Sequence, residues 1–255
     1  KHFKEKIIEK CILLLAFSTV FVLLLITIFI FKEGVPFILR HNLISFMSGT
    51  SWLPAEEIFG ILPMILGSLW VTFGALIVGV PLGVACAIYL VEFSGRSFRN
   101  VVKPAIELLA GIPSVVYGFI GIMTLAPIIR TYLGGPGLSI LTASFVLGIM
   151  IIPTIISVSM DALLALPPSF KEGSIALGAT SWQTTRMVLL PAAKSGILAG
   201  IILGMGRAIG ETMAVIMISG NAVKIPTSVL DPARTLTSNI ALEMGYAMGV
   251  HRSAL

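Results

Sequence analysis

Apolar residues along this chain run in long blocks; they neither alternate nor confine themselves to one helical face. Cys11 to Phe31 ("CILLLAFSTVFVLLLITIFIF") is uncharged over 21 residues. A stretch of about 20 apolar residues, rising about 1.5 Å each, crosses the hydrocarbon of a bilayer as a helix. That block therefore predicts a membrane span, and similar blocks predict others at about 63–91, 105–128, 138–160 and 196–219. The block Ile58–Val91 is too long for one straight helix, so its first part, with Gly60 and Pro63, is expected at the surface. A secretory leader has a shorter apolar core and a small-residue cleavage site, so the first block reads as an uncleaved span. Beyond Asn221 no run of 18 apolar residues occurs, and "IALEMGYAMGV" (Ile240–Val250) reads as an interrupted approach to a sixth, truncated span. The expected fold is all-α, a multi-pass transmembrane helical bundle. Residues 1–62 would hold the tail, first span and external loop, and 63–255 the main bundle with a cytoplasmic loop at about 166–194.

Composition agrees with this pattern. The chain is 56% hydrophobic and 11% charged, where soluble domains carry about 25% charged residues. Its net charge of +5 does not form a nucleic-acid patch, because the basic residues mark the ends of spans. Ten lie in 1–10, 92–104 and 161–195, six in the alternate segments, and Arg207 is the last of the 17. Lys and Arg favour the cytoplasmic side, so the N-terminus and the 161–195 loop are expected inside. Gly196, Gly200 and Gly204 repeat every four residues, as do Gly206 and Gly210, a spacing that lets helices approach closely in lipid. Pro81, Pro113 and Pro153 interrupt three other spans. Cys11 and Cys86 have no disulfide or metal spacing, and His2, His41 and His251 are scattered. Trp52, Trp70 and Trp182 read as interfacial anchors. Asp161, ending the fourth span, reads as solvated.

The loop "LPPSFKEGSIALGATSWQTTRMVLLPAAK" (Leu166–Lys194) carries helix punctuation. Ser169 and Glu172 have capping-box spacing, and Thr180 and Gln183 repeat it. Gly178 stands between them, where a helix ends in the left-handed conformation. Pro168 opens the first short helix and Pro191 closes the second segment. These features alone also fit an ordinary helix-turn-helix connector. The stretch "EGSIALGATSWQTTRMVLLP" (Glu172–Pro191) resembles the EAA loop of ABC-importer permeases. Glu172, Gly178, Ala179, Val188, Leu190 and Pro191 fall at matching positions, while Gly173, Ser174 and Leu177 depart. The resemblance implies a type I importer fold in which this loop is the coupling helix seated in a groove of an ATPase subunit.

"FGILPMILGSL" (Phe59–Leu69), "ELLAGIPSVVYG" (Glu107–Gly118) and "GRAIGETMAV" (Gly206–Val215) further resemble the permeases of phosphate-specific ABC importers. That resemblance implies a second, homologous permease, two ATPase copies and an external phosphate-binding protein. The chain would line half of the route for inorganic phosphate and not be an enzyme. No Walker A stretch (G-x-x-x-x-G-K-[ST]) occurs. No cofactor is expected on this chain; ATP and Mg belong to the partner ATPase.

Arg207 and Glu211 lie in the middle of an otherwise uncharged run, Gly196–Ser219. A charge at a helix centre costs roughly 2.5–3.5 kcal/mol on insertion scales and commonly marks a substrate path. A guanidinium stays charged and can donate two parallel bonds to phosphate oxygens. Glu211, four residues on, would share its helix face. An exchange follows, in which Glu211 neutralises Arg207 when the path is closed and phosphate displaces it. The alternative is a permanent ion pair tying helices together. Thr212 could donate to phosphate or bond its own backbone. Glu107, three residues past Pro104, reads either as a helix-start residue favoured by the dipole or as a gate. Ser114 and Tyr117 flank the Pro113 kink and face either the path or the packing. Arginine serves sulfate or molybdate equally, and only the resemblance selects phosphate. A stand-alone anion channel would not need the Glu172–Pro191 spacing, and no nucleophile–base pair in the spans suggests an intramembrane enzyme.

Overall fold

The computed structural model describes residues 2–255, with side chains from residue 5 onward. The chain divides into two compact units, residues 1–60 with 243–255, and residues 61–242. The boundary expected at 62/63 thus falls at 60/61, and the last 13 residues group with the first unit.

The first unit is dominated by α1 (His2–Arg40), whose 39 residues are apolar on every face over the membrane-length stretch. At about 1.5 Å per residue it is roughly 58 Å long, well beyond a hydrocarbon core of about 30 Å. Its hydroxyls bond back to its own carbonyls, Ser18 and Thr19 to Leu15 and Thr27 to Leu23. α2 (Leu43–Ser48) follows, capped by Asn42, and then the antiparallel pair β1 (Trp52–Leu53) and β2 (Ile58–Phe59). An aromatic nest fills this unit: Phe37 stacks on His41 and meets Phe46 and Phe59 edge-on, and Trp52 meets Phe59 edge-on. Inside it the Glu243 carboxylate accepts from Trp52 Nε1 at 2.7 Å and pairs with His251 Nε2 at 2.9 Å.

The second unit begins with α3 (Leu62–Ile88), extended by a π-helical turn to Phe93, and the amphipathic α4 (Arg96–Ala110). α5 (Ser114–Ile120), a π turn and α6 (Ala126–Tyr132) form one span. α7 (Ile140–Leu164) is followed by α8 (Pro168–Ala176) and α9 (Ser181–Thr184). A π turn, Thr185–Leu189, leads without a break into α10 (Leu190–Gly210), and α11 (Met213–Ile218) and α12 (Leu236–Glu243) complete the series. Among the described residues five helices are long and apolar enough to cross a membrane: 5–40, 62–93, 114–132, 140–164 and 181–210.

α7 is the centre of the second unit: 67% of its most apolar stretch is buried, against none of α1's. Glycine faces of α3 and α10 close on it from two sides. A Cβ at Gly79 or Gly83 would strike Ile151 or Ile155, and one at Gly204 would strike Ile155. Gly196 and Gly200 face Ala162 and Val158 in the same way, as the four-residue spacing predicts. The gaps at Gly79, Gly83, Gly200 and Gly204 are filled by branched side chains, and that at Gly196 by Ala162, which recovers dispersion contacts that lipid would not supply with the same fit. Gly206 and Gly210 meet nothing within 4 Å. Pro81 and Pro153 sit inside continuous helices, and only Pro113 stands at a break.

Two span boundaries differ from the sequence expectation. The third span starts at Ser114, not 105, because Arg96, Arg99 and Lys103 give α4 a charged face that hydrocarbon would not accept. α4 buries Ile106 against Ala87, Leu90, Ile156 and Met160. The fifth span starts at Ser181 and stops at Gly210. Asp161 is not merely solvated but pairs with Lys103 at 2.9 Å, and Lys171 of α8 pairs with the largely buried Glu92 at 2.7 Å.

The segment between α11 and α12 is folded around Asp231. Its carboxylate accepts from the Thr227 and Ser228 backbone N–H groups, the Thr227 hydroxyl and Lys224 Nζ. The Thr227 backbone bond, then Lys224 and the other donors, hold this carboxyl well below the usual carboxylate range. Arg234 spans the segment, donating to the Asn221 carbonyl and to Asn239 Oδ1 at 3.0 Å each.

Candidate functional site

Arg207 lies in the last turn of α10, half-buried. The helix does not continue to Glu211. Gly206 and Gly210, two poor helix formers four residues apart, precede the end, and Glu211 itself is extended (φ −69°, ψ 130°). The i, i+4 geometry expected of the pair is lost, which corrects the reading of an Arg207–Glu211 ion pair. Glu211 Oε1 instead accepts from the Ala214 N–H at 3.2 Å, capping α11, and its carbonyl accepts from the Thr237 hydroxyl at 3.0 Å.

Arg207 donates to two neutral oxygens. Nη1 reaches the Thr154 hydroxyl of α7 and Nη2 the carbonyl of Ala110, each at 3.3 Å. Ala110 is the last residue of α4, so its carbonyl is one that the helix leaves unpaired. A cation there also meets the negative end of the helix dipole. The adjacent carbonyl, that of Leu109, accepts from Tyr117 Oη at 3.0 Å. Arg207 and Tyr117 therefore converge on the break Gly111–Pro113 that separates α4 from α5. Ser114 is the first residue of α5, directly after Pro113.

Thr212 donates to the Gly210 carbonyl at 3.2 Å, the backbone-bonding alternative of its two readings. Glu107 is exposed in the last turn of α4, not the first, so the helix-start reading is corrected: a carboxylate there meets the unfavourable end of the dipole. Thr154, Ala110 and Thr237 were not singled out from sequence.

The second candidate site is the bend between α8 and α9. Gly178 has φ +86°; its N–H bonds to the Ile175 carbonyl and the Ala179 N–H to that of Ser174. This is the double closure of a Schellman helix end, which needs the left-handed residue that glycine supplies. Thr180 and Gln183 form both bonds of a capping box. Ser169 and Glu172 do not, because Pro167 stands at the cap and Pro168 takes the first helical position, which puts Ser169 two places past the cap. Pro191 does not close the segment; it sits in the first turn of α10 within one continuous helix. Its missing N–H falls where the ladder has widened to π spacing, with Leu190 N–H on the Thr185 carbonyl. Leu190 and Val188 are half-buried and Glu172 is exposed. A groove of about 570 Å³ runs along the bend, lined by Phe170, Leu177, Ala179, Gln183, Met187 and Val188 among others. Leu177 at 90% and Met187 at 71% are too exposed for a free surface to favour.

Residues 79–250 match the binding-protein-dependent transport system inner membrane component family. The chain is 44% identical to a probable ABC transporter permease protein, YqgH, of Bacillus subtilis, over 94% of this chain and 78% of that one. It is 39% identical to the phosphate transport system permease protein PstC of Mesorhizobium japonicum, over 80% of this chain and 69% of that one. For PstC 1 of Mycobacterium tuberculosis the identity is 33%, over 82% and 73%. Among solved structures, a chain of the MetNI methionine ABC transporter in an inward-facing conformation aligns with a TM-score of 0.54. That alignment has 23% identity and covers 76% of this chain and 84% of that one, a likeness of fold alone. Five membrane-length helices, a capped helix–bend–helix between the last two of them and these matches agree. The chain belongs to the binding-protein-dependent transport system inner membrane components, as a multi-pass ABC-importer permease.

Proposed function

We propose that this permease carries inorganic phosphate, and that Arg207 is the residue the anion meets within the bundle. The observation that carries the reading is a half-buried guanidinium, in the last turn of a membrane-length helix, bonded only to neutral oxygens. A carboxylate partner would quench it; a hydroxyl and a carbonyl leave its charge for an incoming anion. The relatives named PstC favour phosphate over other oxyanions, which arginine chemistry alone does not separate.

In this reading the chain hydrolyses nothing. A second permease completes the route, two ATPase copies bind ATP and Mg, and an external phosphate-binding protein delivers cargo. The apolar groove at Gly178 receives the ATPase, which puts the 161–195 segment and the N-terminus on the cytoplasmic side. ATP binding moves the bend, and α10, continuous with α9, carries that movement to Arg207. The test is co-purification after gentle solubilisation, followed by reconstitution. The expected result is an associated ATPase whose turnover rises with phosphate-loaded binding protein. ATPase stimulation by sulfate and not by phosphate would overturn the cargo, and no associated ATPase would overturn the assembly.

A further inference from the structure

We propose that Thr154 is a second ligand for the transported oxyanion, donating its hydroxyl hydrogen to the cargo held by Arg207. The proposal rests on the reading of Arg207 as the anion-handling group.

Thr154 differs from four other helical threonines in what its hydroxyl does. Thr19, Thr27, Thr124 and Thr185 each donate to the carbonyl four residues earlier in their own helix. This is the usual way a hydroxyl satisfies its donor in an apolar setting. Thr154 makes no such bond among the described residues; its oxygen accepts from Arg207 Nη1 and its hydrogen is left over. An unspent donor beside a guanidinium suits an anion and is costly without one.

The distances support exchange. Both Arg207 bonds are 3.3 Å, longer than the roughly 2.7–2.9 Å of a charge-assisted bond to an anionic oxygen. A tetrahedral oxyanion arriving at Nη1 and Nη2 therefore replaces two long neutral contacts by two short charged ones. One of its oxygens, seated at Nη1, then lies beside the Thr154 hydroxyl, which turns from acceptor to donor without a rotamer change. Position 154 is fixed for this by the bundle core: Pro153 and Ile155 on either side are buried.

The experiment uses the complete importer, with its partner permease, ATPase and binding protein, in proteoliposomes, and labelled phosphate and sulfate as probes. Thr154→Val keeps the branched shape and removes the hydroxyl; Thr154→Ser keeps the hydroxyl. The expected result is a KM for the transported anion about tenfold higher in Thr154→Val, with little change in maximal rate, and recovery in Thr154→Ser. A wild-type KM in Thr154→Val overturns the proposal, and so does an equal loss in both variants, which would mean the methyl group's packing mattered. If Thr154→Val does not accumulate, Thr154→Ala against Thr154→Ser makes the same comparison. Wild-type import of sulfate without phosphate removes the phosphate reading and leaves Thr154 to be judged on the KM for sulfate. Import of neither anion removes both.

Discussion

Lys171 and Glu92 meet at 2.7 Å and Lys103 and Asp161 at 2.9 Å, joining α8 to the end of α3 and α4 to α7. Arg207 and Glu211, separated by only three residues, take different partners: a hydroxyl and a carbonyl for the cation, a backbone N–H for the carboxylate. The difference is one of availability. A direct ion pair neutralises both members and acts as a fastener. A guanidinium on neutral acceptors keeps its charge, and a carboxylate on an N–H keeps most of its own. The two lysine–carboxylate pairs hold the unit together, and Arg207 and Glu211, at the break that ends α10, are left able to act.

Arg207→Lys strikes this contrast hardest. A lysine keeps the charge but cannot span Thr154 and Ala110 with one fork, so phosphate uptake should fall about a hundredfold at normal protein levels. Uptake near wild type would mean that position needs only a positive charge. Lys171→Met tests the other side. It leaves Glu92, with 8% of its side chain exposed, without its partner, and should destabilise the protein by about 2 kcal/mol, read as a lower melting temperature in detergent. The exchange Lys171→Glu with Glu92→Lys should recover much of that loss if the pair is a fastener. Glu211→Gln should be milder, a few-fold loss of uptake, because an amide oxygen can still cap Ala214. A loss as severe as that of Arg207→Lys would show that the carboxylate charge acts in another state of the cycle.

The smallest effect concerns Asp231, a charge at the surface whose pairing resembles that of the fasteners. Its carboxyl is held below the ordinary value, first by the Thr227 N–H and then by Lys224. Its folded value is therefore depressed, so its contribution is fully present above about pH 4, the unfolded value, and is lost only as pH falls through the lower folded one. Limited proteolysis of residues 221–235 should show protection persisting below pH 4 in the wild type. Asp231→Asn should be cleaved faster at every pH, and equal cleavage of the two proteins would remove Asp231 from the structure of that segment.

Long-range neighbours decide which of these features could be read from sequence. The spans were legible because hydropathy over 20 residues needs no partner, and so was the Thr180–Gln183 cap, whose bonds lie within four residues. The Gly196–Gly204 ridge was legible as a contact face, though not its target, α7. The Arg207–Glu211 pair failed because i, i+4 reasoning assumes an unbroken helix, and the break owes part of its support to Thr237, 26 residues away. Glu107 failed for a related reason: α4 ends at Ala110, where Tyr117 and Arg207, from other elements, bond the carbonyls of Leu109 and Ala110. Thr154 was silent because its role depends on a residue 53 positions distant.

The unbroken run from Ser181 to Gly210 has a mechanical consequence. It is a single rod, set off from α8 by the left-handed residue Gly178 and opened by the Thr180–Gln183 capping box. From Ser181 to Arg207 the rod measures about 39 Å at 1.5 Å per residue, so a tilt of about 5° swings its far end by roughly 3 Å. A displacement of that size exceeds what either 3.3 Å contact of the guanidinium can follow, so a small push at one membrane face reaches Arg207 with no flexible joint in between to absorb it.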